Sequence, residues 1–333
     1  MKIAVFHNLP AGGAKRVLDE EVKFLSKKHG VTVFKCDGEI KVRDLFILRK
    51  LHQKLAEKIN QGGFDVCLIH PDKLTQAPFL LRYLRTPSLY CCEELLRIGY
   101  EKELEFKDEI VFFKKWYENV TRILRKKIDK DNARAAVKIF VGSNYIKEKV
   151  KKAYGKKAEI CPFGVDTSVF FPRKTNKIKQ LLFIGGKEKI NGFDLAKEVV
   201  NLLNNQVKLK IISGFKLTDG QLAAEYSRSF ATLCISYNEP FGLAALESMA
   251  CETPVLAVNA GGYKETILDE KTGFLLKRNP KEFAGRVLYL IKHPQIRKRM
   301  GIMGRKHVIR NFSWQTHNQK LEKYLIKLAA YEA

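Results

Sequence analysis

Short runs of β-branched and aromatic residues alternate with amphipathic helical segments along almost the whole chain, and this alternation leaves few architectures open. The runs read as strands are 2–6, 31–35, 65–69, 88–91, 138–141 and 158–161, then 180–184, 207–212, 232–235, 254–258 and 273–275. Helical periodicity covers 14–28, 42–59 and 144–153, and later 193–203, 221–229 and 282–292. Strand–helix–strand repetition returns the chain to the same end of a sheet, so the strands pair in parallel with helices on both faces. The expected fold class is therefore α/β, with doubly wound parallel sheets.

A chain of 333 residues is long for one core and comfortable for two domains of roughly 150 residues each. The stretch VDTSVFFPRKTNKIK (165–179) carries a proline, loses periodicity and clusters charge, which marks a linker. The expected division is an N-terminal domain over 1–165, a linker at 166–179 and a second domain over 180–311. Two such domains on one linker would set the carboxyl ends of their strands across a cleft, where ligands of doubly wound sheets bind. Glycine turns follow the first strand of each half, at Gly12-Gly13 and Gly185-Gly186.

No apolar run approaches the roughly 18 residues that span a bilayer, and the N-terminus MKIAVFHN reads as a buried strand and not as a signal peptide. Seven scattered cysteines fit reduced core thiols in a cytoplasmic protein. No Cys/His spacing suits zinc, so no metal is expected. The net charge of +25 needs a reason, and residues 121–157 alone hold 13 Lys/Arg against 3 Asp/Glu. Nucleic acid, an anionic membrane and polyanionic substrates are open partners; solvated lysine-rich helix faces are the plainer alternative. No RNP, zinc-finger or helix-turn-helix signature supports nucleic acid. The segment EFKDEIVFFKKWYENVTRILRKKIDK (105–130) mixes Phe112, Phe113, Trp116 and Tyr117 with many bases. That pattern suits a helix lying on an anionic bilayer, and equally a core-facing helix with solvated lysines. Peripheral contact with the inner face of the cell membrane through the basic 105–157 region is the expectation carried forward.

The segment NEPFGLAALESMACETPVLAVNAGG (238–262) says most about chemistry. Glu239 and Glu247 stand eight residues apart around a Pro-Phe-Gly turn that opens a short helix, with Pro240 fitting the first helical position. Gly242 allows close approach of a ligand to the backbone, and the helix start offers amides and a positive dipole end to a phosphate. One carboxylate before that helix and one about two turns in could hold hydroxyls beside the phosphate, as a nucleotide-sugar site requires. The plainer alternatives are a turn residue for Glu239 and a solvated helix carboxylate for Glu247.

SYNEPFGLAALESMACETPVLAVNAGGYKETILDEKTGFLL (236–276) resembles the E-x7-E signature of the family 4 retaining glycosyltransferases, which have the GT-B fold of two Rossmann-like domains facing across a cleft. FVGSNYIKEKVKKAYGKKAEICPFGVDTSVFFP (140–172), LLFIGG (181–186) and GGAKR (12–16) are similar to further blocks of that family, and NFSWQTHNQKLEKYL (311–325) resembles its crossover helix, here 312–333, which packs back on the N-terminal domain.

The resemblance implies that Glu239 contacts the transferred sugar, that Phe241, Gly242 and Leu243 lend amides to the sugar and distal phosphate, and that Glu247 holds the ribose. It places Gly12, Gly13, Gly185 and Gly186 around the diphosphate, Gly13 from the opposite domain. His70, at a strand end, and Glu93 and Arg97 of YCCEELLR (90–97) are the acceptor-side candidates. The usual basic pair on the leaving diphosphate reads Gly186 and Asn191 here, and Lys187 or Lys189 lies close enough to substitute.

The implied activity is metal-independent, retaining transfer of a hexose-type sugar from a UDP- or GDP-linked donor, with no further cofactor, to a glycan or lipid-linked acceptor. The leaving phosphate would take the acceptor proton in a front-face displacement; the carboxylate spacing does not suit the paired carboxylates of a retaining glycosidase. The loss of the basic pair keeps a second reading open, an inactive member serving as a sugar-nucleotide-binding or partner subunit. An epimerase on the same fold is a further enzyme reading, against which the E-x7-E block argues.

Overall fold

The computed structural model describes residues 1–10, 12–36, 44–101, 112–204, 206–214 and 217–330, with backbone alone at 112–115. They form two compact units, Met1–Pro162 with the chain from Asn318 onward, and Phe163–His317.

The first unit runs β1 (Lys2–Asn8), α1 (Gly13–Leu25), β2 (Gly30–Lys35), α2 (Leu45–Gln61), β3 (Val66–Asp72), β4 (Ser88–Cys91), α3 (Arg97–Tyr100), α4 (Phe112–Ala135), β5 (Lys138–Val141), α5 (Asn144–Tyr154) and β6 (Glu159–Ile160). The second runs β7 (Gln180–Ile184), α6 (Phe193–Leu202), β8 (Lys208–Ile212), α7 (Asp219–Arg228), β9 (Ala231–Cys234), α8 (Leu243–Ala250), β10 (Val255–Val258), α9 (Tyr263–Thr266), β11 (Gly273–Leu276), α10 (Pro280–Lys292) and α11 (Pro294–Asn311). Helix α12 (Trp314–Ala330) follows.

Every strand expected from the alternation is present, and every named pairing is parallel. The sheet orders are β2-β1-β3-β4-β5-β6 and β11-β10-β9-β7-β8. Counted from its own first strand, each sheet runs 2-1-3-4-5, with a sixth strand added at the far edge of the first, and reverses direction between its first and third strands. That reversal is where ligands of open α/β sheets bind. The loops after β7 and β9 flank it in the second unit, and those after β1 and β3 in the first.

Alternation along the strands builds the core of the first unit on two faces. Phe6, Ile69, Tyr90 and Ile139 face α2 and α5, while Val5, Leu68, Leu89 and Phe140 face Leu18 of α1 and Leu321, Leu325 and Leu328 of α12. Residues 166–179, expected as a linker, are packed into the second unit. Arg173 N donates to Ser227 Oγ at 3.0 Å, and Lys177 Nζ to Ser229 O at 3.1 Å and Thr253 Oγ1 at 2.8 Å. The first boundary falls at Pro162 because Val165 N donates to Phe312 O at 3.0 Å, inside the second unit.

Helix α8 is held from behind by α11. Gly301 brings α11 so close to the turn after α8 that a Cβ there would meet Glu252 O at 2.3 Å, and Arg305 Nη1 donates to Ala250 O at 2.6 Å at the C-terminal end of α8. Gly301→Ala is expected to lower stability by about 1–3 kcal/mol through overpacking. Gly285→Ala, in open space on α10, should be neutral or stabilising by about 0.5–1 kcal/mol. Denaturant titration of both variants checks this, and equal stability for the two would contradict it.

Candidate functional site

The loop between β9 and α8 carries the principal candidates, and its path is fixed from several sides. Asn238 takes a left-handed φ of 49° and Gly242 one of 99°. A side chain on Gly242 would also meet the Tyr263 ring at 2.9 Å. Helix α8 begins at Leu243 with Gly242 as its cap residue, so Pro240 lies ahead of the helix and not at its first position. The left-handed glycine delays helix entry. Glu239 fills the cap role: its Oε1 accepts from Gly242 N at 3.1 Å.

The glycine pair 261–262 grips this loop. Gly262 N donates to Glu239 O at 2.8 Å. A Cβ on Gly261 would meet Glu239 O at 2.4 Å, and one on Gly262 would meet Phe241 Cα at 2.5 Å. Phe241 is buried, its ring edge-on to Phe163 at 5.1 Å and to Phe312 at 5.9 Å. Arg278 stacks on Tyr237 at 3.6 Å and donates to Ser236 O at 3.1 Å. Sequence reasoning missed Arg278, Phe163 and Phe312; the two phenylalanines lie in the similar blocks 140–172 and 311–325, but nothing in the sequence signals that they meet Phe241.

Glu247, in the second turn of α8, is 4% exposed, and its Oε2 accepts from Tyr226 OH at 2.9 Å. Bulk solvent does not surround it. The Cys234 thiol is pushed up by burial and then by the charges of Glu239 and Glu247.

The turn after β7 lies beside this loop. Tyr237 N donates to Ile190 O at 2.8 Å, and a Cβ on Gly192, at φ 82°, would meet Ile235 O at 2.2 Å. Gly185 donates its amide to Ile212 O at 2.9 Å. At Gly186 the space of a side chain is taken by the Glu188 carboxylate, which accepts from Asn191 Nδ2 at 2.7 Å. Lys187 and Lys189 are exposed on the same turn. The turn thus carries two exposed ammonium groups, while its positions 186 and 191, where an Arg and a Lys were expected, are Gly and Asn.

In the first unit, Gly12 is extended (φ 168°) and Gly13 opens α1. His70 is fully buried in β3, so it presents no atom to an acceptor. Its Nε2 lies 2.7 Å from Glu21 Oε2 and its Nδ1 3.3 Å from Glu93 Oε1. Burial opposes charge on this ring, but the two carboxylates outweigh it and raise the pKa to about 9. Glu93, with its side chain 11% exposed, is the outer member of the row. Glu21 was not anticipated, although it falls on the buried face with Val17, Leu18 and Leu25, where a lone carboxylate signals an internal partner. Arg97, which opens α3, has its Nε 3.1 Å from Oε2 of Glu101 just past the end of that helix, and Glu101 is also 3.2 Å from Lys149 Nζ. Among the described residues, Glu21, His70 and Cys91 bring possible metal ligands within 4.8 Å of one another. The 2.7 Å N···O separation is that of a shared proton; two ligands at about 2.0–2.1 Å from one zinc stand further apart.

Asp72 ties the two loops at the reversal point of this sheet. Its Oδ2 accepts from Asn8 Nδ2 at 2.6 Å, and its Oδ1 from Leu74 N at 2.8 Å and Thr75 N at 3.0 Å.

Residues 170–307 match the family described as glycosyl transferases group 1. The chain is 38% identical over 98 residues to the alpha-1,3/1,6-mannosyltransferase ALG2 of Homo sapiens, a match covering 28% of this chain and 24% of that protein. It is 29% identical over 199 residues to an uncharacterized glycosyltransferase of Methanocaldococcus jannaschii, covering 54% and 56%. The chain thus spans between a quarter and somewhat over half of these relatives. In fold it is similar to sucrose-phosphate synthase from Thermosynechococcus elongatus, with a TM-score of 0.78, 16% identity and 99% and 100% of the two chains covered. It is likewise similar to Anabaena HepE in complex with UDP-glucose, with a TM-score of 0.70, 16% identity and 98% and 100% covered.

The bracketed imidazole gives a pH test. A pKa of about 9 in the folded state, above the ordinary 6.5, means that the folded chain holds this proton more tightly. The stabilisation is full below pH 6.5 and is lost as pH rises through about 9. His70→Gln should remove that part of the pH dependence. It should also cost about 3–5 kcal/mol near neutrality, because Glu21 is left buried without its counter-charge. A parental melting temperature that does not fall between pH 6.5 and 9 would contradict the assignment.

Proposed function

We propose that the chain, whose residues 170–307 match the family of glycosyl transferases group 1, transfers a hexose-type sugar from a nucleotide-diphosphate donor, UDP- or GDP-linked, to a glycan or lipid-linked acceptor, with retention at the anomeric carbon. The observation that carries this reading is the close packing of the loops after β7 and β9 at the reversal point of their sheet, where Tyr237 N donates to Ile190 O at 2.8 Å, with Glu239 on the second loop and Glu247 buried in the helix it opens.

In this reading Glu247 accepts from the ribose hydroxyls and Tyr226 keeps its carboxylate oriented. Glu239 faces the transferred sugar. The anomeric carbon–phosphate oxygen bond breaks as the acceptor oxygen bonds to the same carbon, and the acceptor proton passes to the leaving phosphate. Charge growing on that phosphate is met by the amides at the start of α8 and by Lys187 or Lys189. Such preorganised donors are worth most where water is excluded. HepE, a fold relative, is described as a complex with UDP-glucose, and the relatives include a mannosyltransferase, which favours a nucleotide-linked hexose as donor. Glu93, on its buried imidazole support, is the acceptor-side carboxylate. The acceptor is met at the cytoplasmic face of the membrane, with peripheral contact through the basic 105–157 region; residues 105–111 lie outside the described residues. No helix among the described residues is long and apolar enough to cross a membrane.

A second reading is favoured by the Glu188 carboxylate lying over Gly186, where a cation was expected. It makes the chain a sugar-nucleotide-binding or partner subunit without turnover.

A thermal-shift screen over UDP-, GDP- and ADP-sugars, followed by assay of released nucleotide, separates the two. The first reading predicts a raised melting temperature with one base class and nucleotide release that Glu239→Gln abolishes without loss of fold. Glu247→Ala should weaken binding about 10- to 150-fold, the loss of hydrogen bonds to a charged acceptor. A shift without release supports the second reading. No shift with any donor contradicts both.

A further inference from the structure

Helix α4 is amphipathic the wrong way round for a buried helix. Its inward side carries polar anchors. Asp129 and Asn132 are fully buried. Asp129 accepts from Ala77 N at 3.0 Å and Tyr154 OH at 2.7 Å, while Asn132 Nδ2 donates to Ala77 O at 2.8 Å. Arg125 adds a bond to Leu74 O at 2.8 Å. The outward side is apolar: Trp116 is 60% exposed, Val120 43% and Ile123 67%, at i, i+4 and i+7, with Tyr117 and Leu124 exposed beside them. Trp116 and Tyr117 of the aromatic-rich stretch therefore do not serve the core. Lys127 continues the stripe one turn on, and Lys126 and Lys130 border it, Lys126 and Lys127 being exposed.

We infer that this outward face of α4 docks on an anionic lipid bilayer, with the helix lying in the headgroup plane, Trp116 and Ile123 entering the acyl boundary and the lysines meeting lipid phosphate. This deepens the peripheral contact proposed above by naming its surface and occupant. Charge decides the occupant. A second copy set face to face would bring Lys126 and Lys127 against the same lysines, while aliphatic Val120, Ile123 and Leu124 offer nothing to a polynucleotide backbone. An interfacial helix has this make-up, an apolar side shallowly inserted and flanked by bases.

The test uses the full chain in a Trp314→Phe background, which leaves Trp116 as the sole indole of the two in the sequence. Phosphatidylcholine vesicles with and without phosphatidylglycerol are mixed with it, with neither donor nor acceptor present. Expected are co-sedimentation only with the anionic vesicles, a blue shift of Trp116 emission, and quenching by lipids brominated near the headgroup. Ile123→Asp with Leu124→Asp should weaken binding at least about tenfold, and so should Lys126→Glu with Lys127→Glu, each lysine contributing about fivefold near the surface. Nucleotide-sugar binding and the melting temperature should be unchanged in all variants, so failure here leaves the transferase reading standing. Equal binding to neutral vesicles, an unshifted Trp116, variants that bind like the parent, or a dimer dispersed by the Asp substitutions would each overturn the proposal.

Discussion

The amide of Gly262 donating to the carbonyl of Glu239 is the contact on which the second unit's site depends. It joins the loop after β10 to the loop after β9 at a separation where neither glycine tolerates a side chain. Everything the site offers follows from that grip. Glu239 turns back to cap Gly242, α8 starts at Leu243, and Glu247 falls two turns in, beside Tyr226. The helix is fixed at its far end by Arg305 and from behind by Gly301. In the proposed reaction, a loop held in this way would let a few polar groups stabilise charge that develops only as the bond breaks.

The two units use one topology for different electrostatic ends. In the second, Glu247 is buried against Tyr226, Glu239 caps the loop at Gly242, and Lys187 and Lys189 lie exposed on the neighbouring turn. In the first, the reversal point is held by Asp72, and a buried row of Glu21, His70 and Glu93 runs outward from the core. A protonated imidazole between two carboxylates offsets part of a charge that would otherwise be costly to bury. It also fixes the direction in which Glu93 is presented.

Much of the fold was legible because parallel strands are buried on both faces and read as short apolar runs. The helices that escaped notice are those whose contacts are made by small or polar groups. Helix α11 packs through Gly301 and Gly304, which leave no apolar periodicity. Helix α4 reads correctly as amphipathic, but its polar side chains Asp129 and Asn132 face inward, so only the packed structure says which face is free. For the site, Glu239, Gly242 and Glu247 were legible from local spacing. Arg278, Phe163 and Phe312 were not, because they lie 41 to 78 residues in sequence from the aromatic rings they meet on the loop. His70, expected at a strand end, lies buried inside β3, and its pairing depends on Glu21, a partner no spacing rule connects to it.

The account's central claim is that the glycine grip and the Glu239 carboxylate work as one element. A double-mutant cycle on nucleotide-sugar affinity, combining Gly262→Ala with Glu239→Gln, tests it most directly. Strong coupling is predicted, the double variant binding scarcely worse than the weaker single variant. Losses that add to within about 0.3–0.5 kcal/mol, as for independent sites, would contradict it.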